Sequence, residues 1–300
     1  MTNTGHDRRT MMALMGAGAA MAGIGGAAAD AANPVIEWNM HMFSSDAQKF
    51  PYHPKATYKP DPKKNPADPL AEYQKHMAAE GIDKALFVQP EPYGDDHRLV
   101  LDCLKRTTPD KFKGTSLFYP RDSEAPNKLA ALVKSEPRIC STRFHANRGN
   151  ENYLKSFSDT GVRALWKKAV DLNLVIELHI GPSVARSAGQ AIAAFPGCKV
   201  LIDHLAEQAT GTPAEFADVL DLARYPNVYM KLSGLNHFAK DEPLYPSTLP
   251  FTRRVIAEFG PNRVVWGSGT PKIVDAHMKG HSAADIAKVK GGNLKTLLAW

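Results

Sequence analysis

From Pro34 onward the chain alternates short, continuously apolar runs with longer stretches in which apolar residues recur every three or four positions. The short runs are rich in Val, Ile and Leu, as strands covered on both faces of a parallel sheet are. They predict strands at Val35–His41, Ala85–Val88, Gly114–Phe118, Ile139–Phe144, Leu174–His179, Lys199–His204, Val228–Leu232 and Val264–Gly267. The amphipathic stretches predict helices at Pro69–Ala79, Asp95–Arg106, Ala125–Lys134, Thr160–Leu172, Ser183–Phe195, Pro213–Ala223, Phe251–Phe259 and Ser282–Ala299. Asp159 and Ser282 are placed as N-caps, Pro69 and Pro213 suit first-turn positions, and Gly81, Gly197 and Gly260 stand where helices stop. Eight strands, each followed by a helix, define a single α/β domain of the (β/α)8 TIM-barrel class, spanning 32–300. The alternative, a doubly wound open sheet, lacks a glycine-rich G-x-G-x-x-G turn after the first strand, so no nucleotide cofactor is expected. The Pro/Lys-rich segment from Phe50 to Pro69 reads as a long loop over the first helix.

The opening segment, 1–31, has another character. Asp7-Arg8-Arg9 precedes an Ala/Gly/Met-rich apolar run from Met11 to Ala29 that ends in small residues around Ala27–Ala31. A charged start, an apolar middle and a small-residue exit make a secretion signal, and the paired arginines make it the twin-arginine type. A run so rich in Gly and Ala is a poor permanent span, so the expectation is export to the periplasm or medium, without a stable membrane partner. The formal charge of +6 is spread among acidic residues with no basic run, which argues against nucleic-acid binding. Self-association is left open. Cys103, Cys140 and Cys198 permit at most one disulfide and have no metal-type spacing; buried structural cysteines are expected.

In a barrel of parallel strands the active site lies at their carboxyl ends. There the first predicted strand carries Glu37, Asn39 and His41, which strict alternation would put on one face; the fifth carries Glu177 and His179, and the sixth ends Asp203-His204. Three imidazoles from separate strands point to one centre for metal or acid–base chemistry.

The stretch Ile36-Glu37-Trp38-Asn39-Met40-His41-Met42-Phe43 resembles the opening D-x-H-x-H signature of the amidohydrolase-related family. Val200-Leu201-Ile202-Asp203-His204 is similar to that family's apolar strand ending in Asp-His. Asn227–Gly234 and Arg263–Pro271 resemble its seventh and eighth strands, the latter usually R-x-x-W-G-T-D-W-P, and Gly292-Asn293-Leu294 resembles its final helix. The family's fold is a TIM barrel. Its members include lactonases acting on pyrone dicarboxylates and sugar lactones, and related decarboxylases. Two positions depart from the pattern: Asn39 replaces the first histidine, and Gly269 replaces the eighth-strand aspartate that handles the proton of the attacking water.

The resemblance implies either one divalent ion, zinc or manganese, with His41 and His179 as ligands, or a metal-free lactone hydrolysis. His204, Glu177 and His179 are the candidate catalytic groups, Glu177 taking the part of the missing aspartate or else pairing with Lys231. Arg143, at the family's substrate-carboxylate position, joins Asn39 and His41 as candidate substrate contacts. Glu91, Glu207, Arg121 and Arg148 are further candidates, while Tyr93, His97, His145, Asn236 and His237 are expected in loops bordering the mouth. The expected activity is hydrolysis of a small anionic or polyhydroxylated lactone. The alternatives are a non-oxidative decarboxylase, and a periplasmic binding protein on a degenerate barrel.

Overall fold

The computed structural model describes residues 33–146 and 153–300. The expected leader and Arg148 lie outside the described residues. Eight parallel strands pair in sequence order: β1 (Ile36–Met40), β2 (Lys84–Phe87), β3 (Phe112–Leu117), β4 (Ile139–Ala146), β5 (Val175–Ile180), β6 (Val200–Ile202), β7 (Val228–Leu232) and β8 (Val264–Trp266). β8 returns beside β1, so the sheet forms a nearly closed (β/α)8 barrel. The helices between strands are α1 (Pro69–Glu80), α2 (Arg98–Lys105), α3 (Ala125–Ser135), α4 (Thr160–Asp171), α5 (Ala185–Ala193), α6 (Pro213–Asp221) and α7 (Leu249–Phe259).

Local signals explain most of these bounds. α1 starts at Pro69 with Asp68 accepting from Ala71 N, and stops at Gly81 in the left-handed region. α6 begins with Thr212 and Glu215 in a reciprocal capping box ahead of Pro213. Asp159 and Ser282 both stand at N-cap positions as expected; Ser282 accepts from Asp285 N, whereas Asp159 makes no side-chain cap bond. The expected last helix is three pieces: α9 (Ala283–Ala287), a wide turn over Lys288–Gly292, and α10 (Asn293–Leu298). The short helix α8 (Lys272–His277) precedes them. The break has a steric cause. Gly291 lies so close to β1 that a Cβ there would stand 1.8 Å from Pro34 O.

Two apolar layers result. Leu178, Ile176, Phe144, Phe87 and Met230 pack outward beneath the helices. Ile36, Trp38, Leu86, Val175, Leu201 and Val265 fill the barrel interior, and Leu294 and Leu297 of α10 belong to the same cluster. Trp300 anchors that end: its Nε1 donates to Asp110 O, and the Lys84 and Lys113 ammonium groups lie over its ring.

β1 departs from strict alternation. Trp38 pairs with Leu86 and Met40 with Phe87, leaving Asn39 as a bulge. Trp38 therefore faces inward while Glu37 faces α1, where Tyr73 Oη donates to its carboxylate at 2.6 Å. Glu37 thus does not share a face with Asn39 and His41. All three cysteines are free, Cys103 and Cys198 buried and Cys140 partly so. Among the described residues no helix is long and apolar enough to cross a membrane.

Candidate active site

Above the apolar interior lies a layer of charge. The β4–β5 register sets Arg143 beside Glu177 and His145 beside His179. Lys231 of β7 reaches across to Glu177 Oε1 at 2.7 Å and Asp203 Oδ1 at 2.6 Å, all three fully buried. The Arg143 guanidinium donates to Asp203 Oδ2 through Nε (3.0 Å) and Nη2 (2.7 Å). Burial works against the Asp203 carboxylate, but Lys231 and then Arg143 outweigh it and hold its pKa well below the usual range. Glu177 goes the other way: burial, then the charge of Asp203, pushes it up to about 7. Its Oε2 has no partner among the described residues. Glu177 shares the inward face with His179 as expected, yet it lies beneath the cavities and is paired with Lys231.

Over this layer sits a small, partly open cavity of about 110 Å3 lined by Asn39, His41, Thr57, Tyr58, Glu91, Arg143, His145, His179, His204 and His237. Thr57 and Tyr58 come from the Pro/Lys-rich loop, which thereby covers the mouth. A wider chamber of about 410 Å3 adjoins it, sharing Asn39, His41 and His237 and adding Ser233, Asn236, Tyr245, Ser268 and Gly269.

The imidazoles differ in what holds them. His41 Nδ1 lies 3.1 Å from Val88 O, which can only accept, so Nδ1 carries the proton and Nε2 a lone pair. Desolvation and the nearby Arg143 charge push its pKa down to about 3. His204 bonds Ser233 Oγ through Nδ1 at 2.8 Å, and burial keeps its pKa well below the ordinary value. His179 is committed at both nitrogens: Nδ1 accepts from Arg143 Nη2 at 3.1 Å, and Nε2 donates to Glu207 Oε1 at 3.2 Å. The same glutamate oxygen accepts from His237 Nδ1 at 2.7 Å. A backbone excursion permits this. His204, Leu205, Ala206 and Glu207 all adopt positive φ, 51–56°, a full left-handed turn that carries the chain from β6 back over the mouth. Two polar atoms of the cavity wall, Asn39 Oδ1 and Glu91 Oε2, are buried without a hydrogen-bond partner among the described residues. Atoms of this kind commonly await a ligand or water.

The remaining candidates scatter. Arg121 is exposed and lines neither chamber. Tyr93 is buried and accepts from Ser44 N, and His97 accepts from Leu117 N, its pKa pushed down to about 4 by burial. Both are structural. Asn236 and His237 border the mouth as expected, and His145 lies in its wall.

A resident divalent ion would have to be held by donors of this site. Among the described residues, His179, Asp203 and His204 place one ligand atom each within 4.8 Å of the others. Two of the three are already engaged, however: both Asp203 oxygens by Lys231 and Arg143, both His179 nitrogens by Arg143 and Glu207, which leaves His204 Nε2 alone in the cluster. Two unit charges about 4 Å apart repel by roughly 4 kcal/mol at an effective dielectric of 20, and a divalent ion doubles that against each cation. A His/Asp/His cluster is thus present, but with Asp203 and His179 in these pairs it does not fit such an ion as it stands.

The family model described as amidohydrolase matches residues 36–289. A 4-sulfomuconolactone hydrolase of Hydrogenophaga intermedia is 26% identical over 249 residues, covering 79% of this chain and 75% of that protein. An L-fucono-1,5-lactonase of Burkholderia ambifaria is 29% identical over 206 residues, covering 65% and 67%. In structure, a probable 2-pyrone-4,6-dicarboxylic acid hydrolase of Acinetobacter baumannii with citric acid bound superimposes with a TM-score of 0.72 over 89% of this chain and 99% of that one, at 18% identity.

Proposed function

This chain belongs to the amidohydrolase family, and from that premise we propose that it is a hydrolase of small lactones bearing a carboxylate or several hydroxyls. The observation that carries this reading is the small chamber over the charged layer. There one guanidinium and five imidazoles line the same wall as Asn39 Oδ1 and Glu91 Oε2, which are buried without a hydrogen-bond partner among the described residues. The relatives named as lactone hydrolases support it. Arg143 is oriented by Asp203 and His179 and meets the acid group or the developing oxyanion. Asn39 and Glu91 receive the hydroxyls. His179 acts by holding Arg143 and Glu207, and no step is assigned to a metal. The paired arginines Arg8-Arg9 and the apolar run behind them support export of the folded protein to the periplasm.

The test is a panel of five- and six-membered lactones, with and without a carboxylate, followed by proton release in weak buffer and repeated after chelation. Turnover of acidic lactones that survives the chelator, with KM raised in Arg143→Met, is the expected outcome. Calorimetric binding without turnover would make the chain a binding protein. Carbon dioxide release from aromatic acids would make it a decarboxylase.

A further inference from the structure

The hydrolysis proposed above needs a base for the attacking water, and Gly269 stands at the eighth-strand position where the pattern that the sequence resembles has an aspartate. Its backbone explains why no side chain stands there: φ is +83°, and an added Cβ would lie 2.9 Å from Ile273 Cδ1. The base must come from elsewhere around the same chamber. Glu177 and Asp203 are sealed beneath it in ion pairs. His179 has both nitrogens engaged. His204 bonds the Ser233 hydroxyl, which can donate or accept and so fixes no proton, whereas two of the described imidazoles have a proton fixed on Nδ1 and a lone pair on Nε2. One, His41, is held by a neutral carbonyl and faces the charges of Arg143 and Lys231, which oppose an imidazolium. The other is His237. Its Nδ1 is held by the Glu207 carboxylate, its Nε2 has no hydrogen-bond partner among the described residues, and its ring lines both chambers. Gly269 lines the wider chamber with it, so His237 borders the same space as the glycine that carries no side chain.

We propose that His237 is the general base of this site, oriented and charge-stabilised by Glu207. Nε2 takes a proton from water while the water oxygen bonds to the lactone carbonyl carbon. The carbonyl π pair moves onto oxygen, giving a tetrahedral oxyanion. Its collapse breaks the ring acyl C–O bond, and His237 returns the proton to the departing ring oxygen. Lactone and water become a hydroxy acid, with no other reactant. Glu207 donates nothing to the substrate and is a positioning residue. It keeps the imidazole proton on Nδ1 and balances the transient imidazolium.

This role rests on the lactonase reading, so one arm of the test needs no substrate. Diethyl pyrocarbonate, which acylates unprotonated imidazole nitrogens, is mapped by peptide mass spectrometry on the full chain. His237 is expected to react readily, and more slowly in Glu207→Gln. An unreactive His237, or a rate indifferent to Glu207→Gln, overturns the proposal whatever the substrate is. The second arm uses the lactone that the panel identifies. His237→Asn keeps a donor to Glu207 and should lower kcat by about 100-fold or more with KM little changed. Free imidazole should restore roughly tenfold of that loss in His237→Gly, which a merely structural histidine would not allow. Full kcat in His237→Asn overturns the base assignment and leaves the lactonase reading standing. A panel silent with wild-type protein overturns the lactonase reading, and the acylation arm then decides the Glu207–His237 pair alone.

Discussion

Lys231 shows what a single residue costs and contributes in this barrel. Its ammonium is wholly buried, held between Glu177 and Asp203, with the Trp38 ring 5.6 Å away. Removing one partner of a buried charge cluster leaves the others uncompensated, at about 3–5 kcal/mol. Lys231→Met, close in volume, should therefore lose about that much in urea denaturation. A loss within experimental error would mean that the carboxylates are neutral in the fold. Glu37 offers a second check. Burial, partly offset by the Tyr73 hydroxyl, raises its pKa from the ordinary carboxylate range to about 7. A raised folded-state pKa contributes stability that is fully present below the unfolded value and lost as pH climbs through the folded one. Relative to Glu37→Gln, the parent should lose stability from about pH 4.5 to about pH 7. Parallel stability–pH curves for the two proteins would contradict this. At this scale the sequence was partly legible. Strand-end position was enough to find His41, His179, His204 and Arg143. The Glu177–Lys231 pair was read as one of two alternatives, but neither Asp203 as the second partner of Lys231 nor His237 on Glu207 was legible, because those pairings depend on register between strands far apart in sequence.

Among the elements, strands were the more legible, since a strand covered on both faces must be apolar throughout and its neighbours cannot disguise it. The structure moves their ends by at most two residues, leaves Val228–Leu232 unchanged and keeps all eight. Failures came where backbone geometry departs from the repeat. The Asn39 bulge separates Glu37 from His41, and close approach of Gly291 to β1 breaks the last helix. The left-handed turn from His204 to Glu207 had no signal at all, because Leu205 and Ala206 give no hint of positive φ. Tertiary contacts must hold it. For Ala206→Gly, relief of left-handed strain, roughly 1–2 kcal/mol, opposes a backbone entropy cost of about 0.5–1 and the loss of a buried methyl at about 0.8. The change should be close to neutral by thermal denaturation. In α5, Ala188→Gly has no strain to relieve and should lose about 2 kcal/mol. Equal losses at both sites would mean that the turn is not strained.

The whole molecule depends on a seam. β1 and β8 meet where the segment around Gly291 presses on Pro34, α10 packs into the interior, and Trp300 reaches Asp110. Gly291→Ala would set a methyl against backbone with no side chain to yield, and should lose at least roughly 3 kcal/mol in a thermal melt. A tolerated alanine would show that the seam has slack. The seam also puts a clock on the barrel. Gly291 follows Ile36 by roughly 250 residues, and at about 5–20 residues per second a ribosome needs about 12–50 s to make that span. Throughout that interval β1 is a bare edge strand, open to pairing with another nascent chain. The protein is therefore most exposed to misassembly while it is being made, and a holdase that covers β1 during synthesis would raise its yield more than one that acts after release.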